Sequence, residues 1–259
     1  GIRYFLVPNM ENFSWMTVVA AMGQMFYSLS IAMGILVTFG SYMRKDTSIE
    51  DSTRNVEIFD TAIAMMAGLM IIPAVFAFSG GDPDTLQAGP SLMFITIPKV
   101  FANMGLGTVI GILFFLLVLF AAVTSSIALT ESAVSTFEDE LGWRRKKATV
   151  IVGIIMIALG TLSSLGYGPL ANVTLIGMQF LDFFDFLTNS VMMPLAALAT
   201  CLLVSRVVGT QKIEDEVTDG GKPFRRKKIF QFMIKYLCPI FAIIILISSI
   251  ANAFGWISM

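Results

Sequence analysis

The sequence predicts an all-α integral membrane protein with six membrane-crossing helices, and three observations carry that expectation. Of the 259 residues, 56% are hydrophobic and 14% charged, whereas typical soluble domains carry about 25% charged residues. The charges cluster, leaving six uncharged runs, each at least as long as the ~20 residues that cross a ~30 Å hydrocarbon core as a helix. Basic residues also recur on every second connection between those runs. The same composition excludes other classes. With no His, the commonest general base and any His-ligated zinc or iron are absent. The 17 Lys and Arg nearly balance the 18 Asp and Glu, so no overall positive charge draws the chain to nucleic acid. Cys201 and Cys238 lie in separate apolar stretches and suggest neither a disulfide framework nor a metal cluster.

Taken in order, residues 1–13 are a polar stretch placed outside the cell. The chain starts with Gly1 and shows no signal-peptide layout, which suggests part of a longer protein. The run Asn12–Met43 is too long for one straight crossing at 1.5 Å per residue. Its centre, Gly23-Gln24-Met25-Phe26-Tyr27-Ser28-Leu29-Ser30-Ile31-Ala32-Met33-Gly34, brackets a polar Ser-x-Ser with glycines. Gly weakens a helix by roughly 1 kcal/mol relative to Ala, and Ser competes for its own backbone. Residues 14–42 therefore read as a broken helix, two half-helices around an unwound stretch. Such backbone is tolerated at membrane depth only against protein or a water-filled cavity, as at a transporter's substrate site. A tilted helix using Ser and Gly for close packing is the competing reading. Helix 50–80 follows, begun early by the helix formers of Arg44–Glu57, then an extracellular loop at 81–107. Helices 108–137, 147–164, 175–207 and 229–257 complete the count, all within one membrane domain spanning 1–259.

The connections Arg44–Arg54, Arg144–Lys147 and Arg206–Lys228 contain 14 of the 17 basic residues. They lie on alternate connections, which puts all three in the cytoplasm and both chain ends outside. Within the apolar run Leu113–Leu129 stands Thr124-Ser125-Ser126. Hydroxyls there serve helix packing, or supply the oxygen that a hard cation such as Na⁺ prefers.

Several segments resemble the neurotransmitter:sodium symporters. Gly23-Gln24-x-Phe26-Tyr27-Ser28-Leu29-Ser30, continuing from Gly34 to Thr38-Phe39-Gly40-Ser41-Tyr42, resembles that family's sixth helix. Asp60-Thr61 with Gly68-Leu69-Met70-Ile71-Ile72-Pro73-Ala74 is similar to its seventh, and Phe120–Ala128 to its eighth. Ala88–Pro98 resembles the fourth extracellular loop. The resemblance implies the fold of the bacterial leucine transporter. This chain would supply its second inverted repeat, helices six to ten, plus helix eleven, and the first five helices would be missing.

By that resemblance, Ala121 through its carbonyl, with Thr124 and Ser125 through their hydroxyls, are ligands of the second sodium site. Their i, i+3, i+4 spacing puts them on one helix face. Ser28 and Asp60 resemble ligands of the first sodium site, where Asp60 is a charged variant of the usual Asn. Tyr27, Ser28, Ser30, Met33, Ser125 and Leu129 would line the substrate pocket, with Tyr27 closing over the substrate. Asp185 resembles the acidic residue of the outer gate, and Tyr42 with Asp139 the inner-gate pair. In chloride-dependent relatives an anion lies beside the first sodium site. Asp60 would supply that charge covalently, while Ala64, at the family's other charge-supplying position, carries none. The implied function is sodium-coupled amino acid symport, the substrate being apolar or aromatic, by alternating access in a bacterial inner membrane. Na⁺ is the coupled ion, and the lipid bilayer and the missing N-terminal half are the partners. No covalent chemistry is involved. A non-transporting membrane subunit or binding scaffold is the alternative.

Overall fold

A computed structural model of the chain describes residues 1–8, 10, 13–78, 89–254 and 256. Those residues are helical almost throughout. The helices are α1 (Ile2–Leu6), α2 (Trp15–Ser28), α3 (Ile35–Ser41), α4 (Ile49–Phe78) and α5 (Leu92–Ala102), followed by α6 (Gly107–Leu141), α7 (Arg145–Leu165), α8 (Phe180–Val208), α9 (Thr210–Thr218) and α10 (Lys227–Ala253). Five of them, α4, α6, α7, α8 and α10, are long and apolar enough to cross a membrane. The sixth crossing expected over 14–42 is not one helix. It is divided into α2, 14 residues long, and α3, 7 residues long, and neither piece crosses alone. The expected loop at 81–107 contains α5, while its residues 81–88 lie outside the described residues.

Apolar side chains along the five long helices stay largely uncovered. Leu113, Leu117, Leu119, Phe120 and Ile127 of α6 are all exposed. Water would penalise that much apolar surface by roughly 25 cal/mol per Å², so lipid or further protein must cover it.

The chain packs as two compact units. The first holds residues 1–13 and 55–127, the second residues 14–54 and 128–259. In the first, the Phe5 ring fills the place where a side chain on Gly68 would stand, and Tyr4 packs on Phe76 at 4.7 Å between ring centres. Gly107 meets the Phe101 carbonyl more closely still, so the turn from α5 into α6 tolerates no side chain there. Phe101 in turn lies edge-on to Phe114 of α6 at 5.4 Å.

In the second unit, α10 packs along α8 and against α2. The turn between α6 and α7 is closed by Val134, Ala148 and Val152, all buried, with Phe137 stacked on Trp143 at 5.3 Å. Helix α7 begins with Arg145, Lys146 and Lys147, cations at the end of a helix that repels them. Two contacts offset this: Arg145 pairs with Glu131 and Glu138 of α6, and Lys147 lies 4.2 Å from the centre of the Trp143 ring.

Proline shapes α5, α8 and α10. Pro98, Pro194 and Pro239 each follow a widened π-helical turn, at Leu92–Thr96, Phe186–Met192 and Met233–Leu237. Proline has no N–H to give and its ring collides with the carbonyl four residues back. A turn with one extra residue removes that collision without ending the helix.

Candidate functional site

The break between α2 and α3 is built from the residues that predicted it. Helix α2 ends at Ser28, and the next six residues turn through left-handed backbone at Ser30 (φ +53°), Ala32 (φ +64°) and Gly34 (φ +81°). The first two are non-glycine residues in a region that L side chains rarely adopt, a strain that persists only where surrounding structure holds it. Gly34 is the N-cap of α3 and has a second reason to be glycine. A Cβ there would stand 2.7 Å from the Ser132 hydroxyl of α6. One turn on, the buried Thr38 donates its hydroxyl to Ser132 Oγ at 3.4 Å. Small and hydroxylated residues thus let α3 approach α6 closely.

Of the candidate pocket residues, Tyr27 and Ser28 are exposed in the last turn of α2, and Ser30 and Met33 are half-buried within the break. Leu129, on α6, is exposed and belongs to the same unit. Ser125 belongs to the other unit, as does Asp60, so Ser28 and Asp60 lie on different units.

Within the first unit, α6 carries Ala121, Thr124 and Ser125. The Thr124 hydroxyl donates to the Ala121 carbonyl at 2.9 Å, which brings two of the three expected ligand oxygens together on one face of an unbroken helix. Ser126 instead turns its hydroxyl to the Val123 carbonyl at 2.9 Å. Asp60 lies inside α4, eleven residues beyond its first residue, or roughly 16 Å along the helix axis.

The gate candidates have partners that the sequence did not indicate. Tyr42 caps α3 and donates its hydroxyl to Glu131 Oε1 at 2.7 Å, and Arg145 holds the other oxygen of the same carboxylate. Asp139, the expected partner in the inner gate, is exposed further along α6. Asp185 accepts a hydrogen bond from Asn189 Nδ2, one turn on, at the start of the π-helical turn. Glu131 could have been marked in the sequence, since it is the first charge after the uncharged run Val100–Thr130. Nothing in the sequence tied it to Tyr42.

Five long apolar helices, a shorter helix pair broken at a polar centre and clustered oxygens on α6 are features of a multi-pass membrane transport protein. Comparison with known proteins makes the class specific. The model of the sodium:neurotransmitter symporter family matches residues 1–255, and the chain belongs to that family. It is 31% identical over 253 residues to YhdH of Bacillus subtilis, an uncharacterized sodium-dependent transporter, covering 96% of this chain and 55% of the relative. An uncharacterized sodium-dependent transporter of Haemophilus influenzae is 30% identical over 251 residues, covering 96% and 54%. Among solved structures, MhsT in complex with L-phenylalanine superimposes with a TM-score of 0.79 at 35% identity, covering 89% of this chain and 51% of MhsT. The chain therefore spans about half the length of the relatives it matches.

Proposed function

We propose that this chain is the substrate- and ion-binding second half of a sodium-coupled amino acid symporter, its second inverted repeat and one further helix. The observation that carries the reading is the break from Leu29 to Gly34, held in left-handed backbone at Ser30 and Ala32. A helix interrupted at a polar centre offers main-chain groups to an ion and a charged substrate, which a continuous helix cannot do. MhsT, the similar protein of known structure, holds L-phenylalanine, and Met33 and Leu129 would supply the apolar surface that such a side chain needs. Tyr27, Ser28 and Ser30 would complete the pocket, with Asp185 at the outer gate and Tyr42 and Asp139 at the inner gate.

Asp60 would be a ligand of the first sodium site, and Ala121, Thr124 and Ser125 would serve the ion at the second. At the second site the Thr124 hydroxyl would turn its hydrogen away from the Ala121 carbonyl, freeing both oxygens for the ion. The membrane potential adds ~2.3 kcal/mol per charge per 100 mV to inward movement. Alternating access would convert that energy into accumulation of the amino acid.

The test is Thr124→Val combined with Ser125→Ala, which removes two oxygens while nearly keeping shape. In the complete protein, sodium affinity of uptake is expected to fall about tenfold or more, ~1.4 kcal/mol, with expression unchanged. Ser126→Ala should leave sodium dependence as it is. Sodium dependence untouched by the double substitution would refute the site.

A further inference from the structure

Between α8 and α10 the chain runs through α9 and a 3₁₀ turn at Asp219–Gly221. Its rear is fixed to α10. Glu214 of α9 is 3% exposed and pairs with Lys227 at 2.7 Å and with Gln231. Lys227 first, then Gln231, holds that carboxyl below the usual carboxylate range. Its front reaches the loop that joins α3 to α4, and there two side chains bond in opposite directions. The Lys222 ammonium donates to the main-chain oxygens of Lys45 and Thr47, both at 3.0 Å. The Glu50 carboxylate accepts from the main-chain N–H of Arg225 at 2.9 Å and of Arg226 at 3.2 Å.

Each of these four bonds has one charged member, which makes it about twice as strong as a neutral one. Arg226 is the N-cap of α10 and makes no side-chain cap of its own. Amides at a helix start have no partner within the helix and favour an anion beside them. Glu50 meets that need from another helix, while it stands in the first turn of α4, where a carboxylate is equally favoured.

We propose that Glu50 and Lys222 form a two-way clasp that holds the end of half-helix α3 and the start of α4 to the last helix, and that its release eases opening of this face of the transporter. The proposal rests on the transport reading above and on the orientation that the basic loops assign, with this face in the cytoplasm. The end of the α3–α4 loop and the first turn of α4 cannot move away from residues 222–226 without breaking all four bonds. The segment between α8 and α10 turns at Gly209 (φ +84°) and Gly221 (φ +77°), where the positive φ favours glycine.

The experiment combines amide hydrogen exchange with uptake by the complete protein in lipid. Glu50→Ala and Lys222→Met should each speed exchange of the 222–230 peptide about tenfold, given the strength of charge-assisted bonds. Their combination should add little, because either substitution opens the same clasp. Glu50→Gln, which keeps one acceptor oxygen and the side-chain shape, should fall between. Swapping the charges, Glu50→Lys with Lys222→Glu, should not restore protection, because each side chain bonds main chain and not the other. In uptake, the released forms should need about threefold more sodium for half-saturation at an undiminished maximal rate, since fewer molecules face outward ready to bind. Unchanged exchange in either single variant, or protection restored by the swap, would overturn the clasp. Faster exchange with unaltered sodium dependence would overturn its part in opening. Absence of sodium-driven uptake by the unsubstituted protein would refute the transport reading, and the exchange results would still decide the clasp.

Discussion

In the proposed transporter, Asp60 would set a requirement for the ion site it belongs to. It lies three turns inside α4, and a carboxylate within a membrane is expensive unless a cation balances it. If that cation is sodium, the negative charge is already covalently present and no dissolved anion is needed beside it. Ala64, one turn on, adds no charge. Uptake is therefore expected to continue undiminished when gluconate replaces chloride. Asp60→Asn should then weaken sodium affinity about tenfold, ~1.4 kcal/mol. A chloride requirement in the unsubstituted protein would count against this role, as would normal sodium affinity in the Asn variant.

The break between α2 and α3 carries the corresponding argument for an element. Its polarity and glycines were legible in the sequence, because helix propensity is local. The closeness of α3 to α6 was not, because Ser132 follows Gly34 by nearly a hundred residues. Gly34→Ala should destabilise the protein by about 1–2 kcal/mol through its left-handed backbone alone, with a further penalty from the Ser132 hydroxyl 2.7 Å from the new methyl. Ser132→Ala in the same chain should recover the second part and not the first. The midpoint of thermal unfolding in detergent measures both. Full recovery would mean that contact, and not backbone conformation, demands glycine here.

For the whole molecule, the relevant fact is length, since the chain covers 55% and 54% of its two bacterial relatives. In the proposed transporter the pocket residues on α2, α3 and α6 face an opposing wall supplied by the other half. Residues 1–259 placed alone in proteoliposomes should insert and resist alkaline extraction, yet accumulate no amino acid against a gradient. Sodium-driven accumulation by these residues alone would show that a single half suffices.

What the sequence determined by itself was whatever depends on neighbours along the chain. Uncharged runs marked the long helices, alternating basic loops implied an orientation, and the glycines around Ser28 and Ser30 marked the break. The i, i+3 spacing that joins Ala121 to Thr124 is equally local, as one turn of helix brings those oxygens together whatever surrounds it. Only tertiary structure decided that Tyr42 meets Glu131, that Lys222 reaches the carbonyls of Lys45 and Thr47, and that Glu50 caps the start of α10. Those pairs are separated by 89 to 177 positions. A Glu or Lys in a loop looks the same in sequence whether it is solvated or holds another segment. Its role is set by which distant backbone the packing of helices brings within reach.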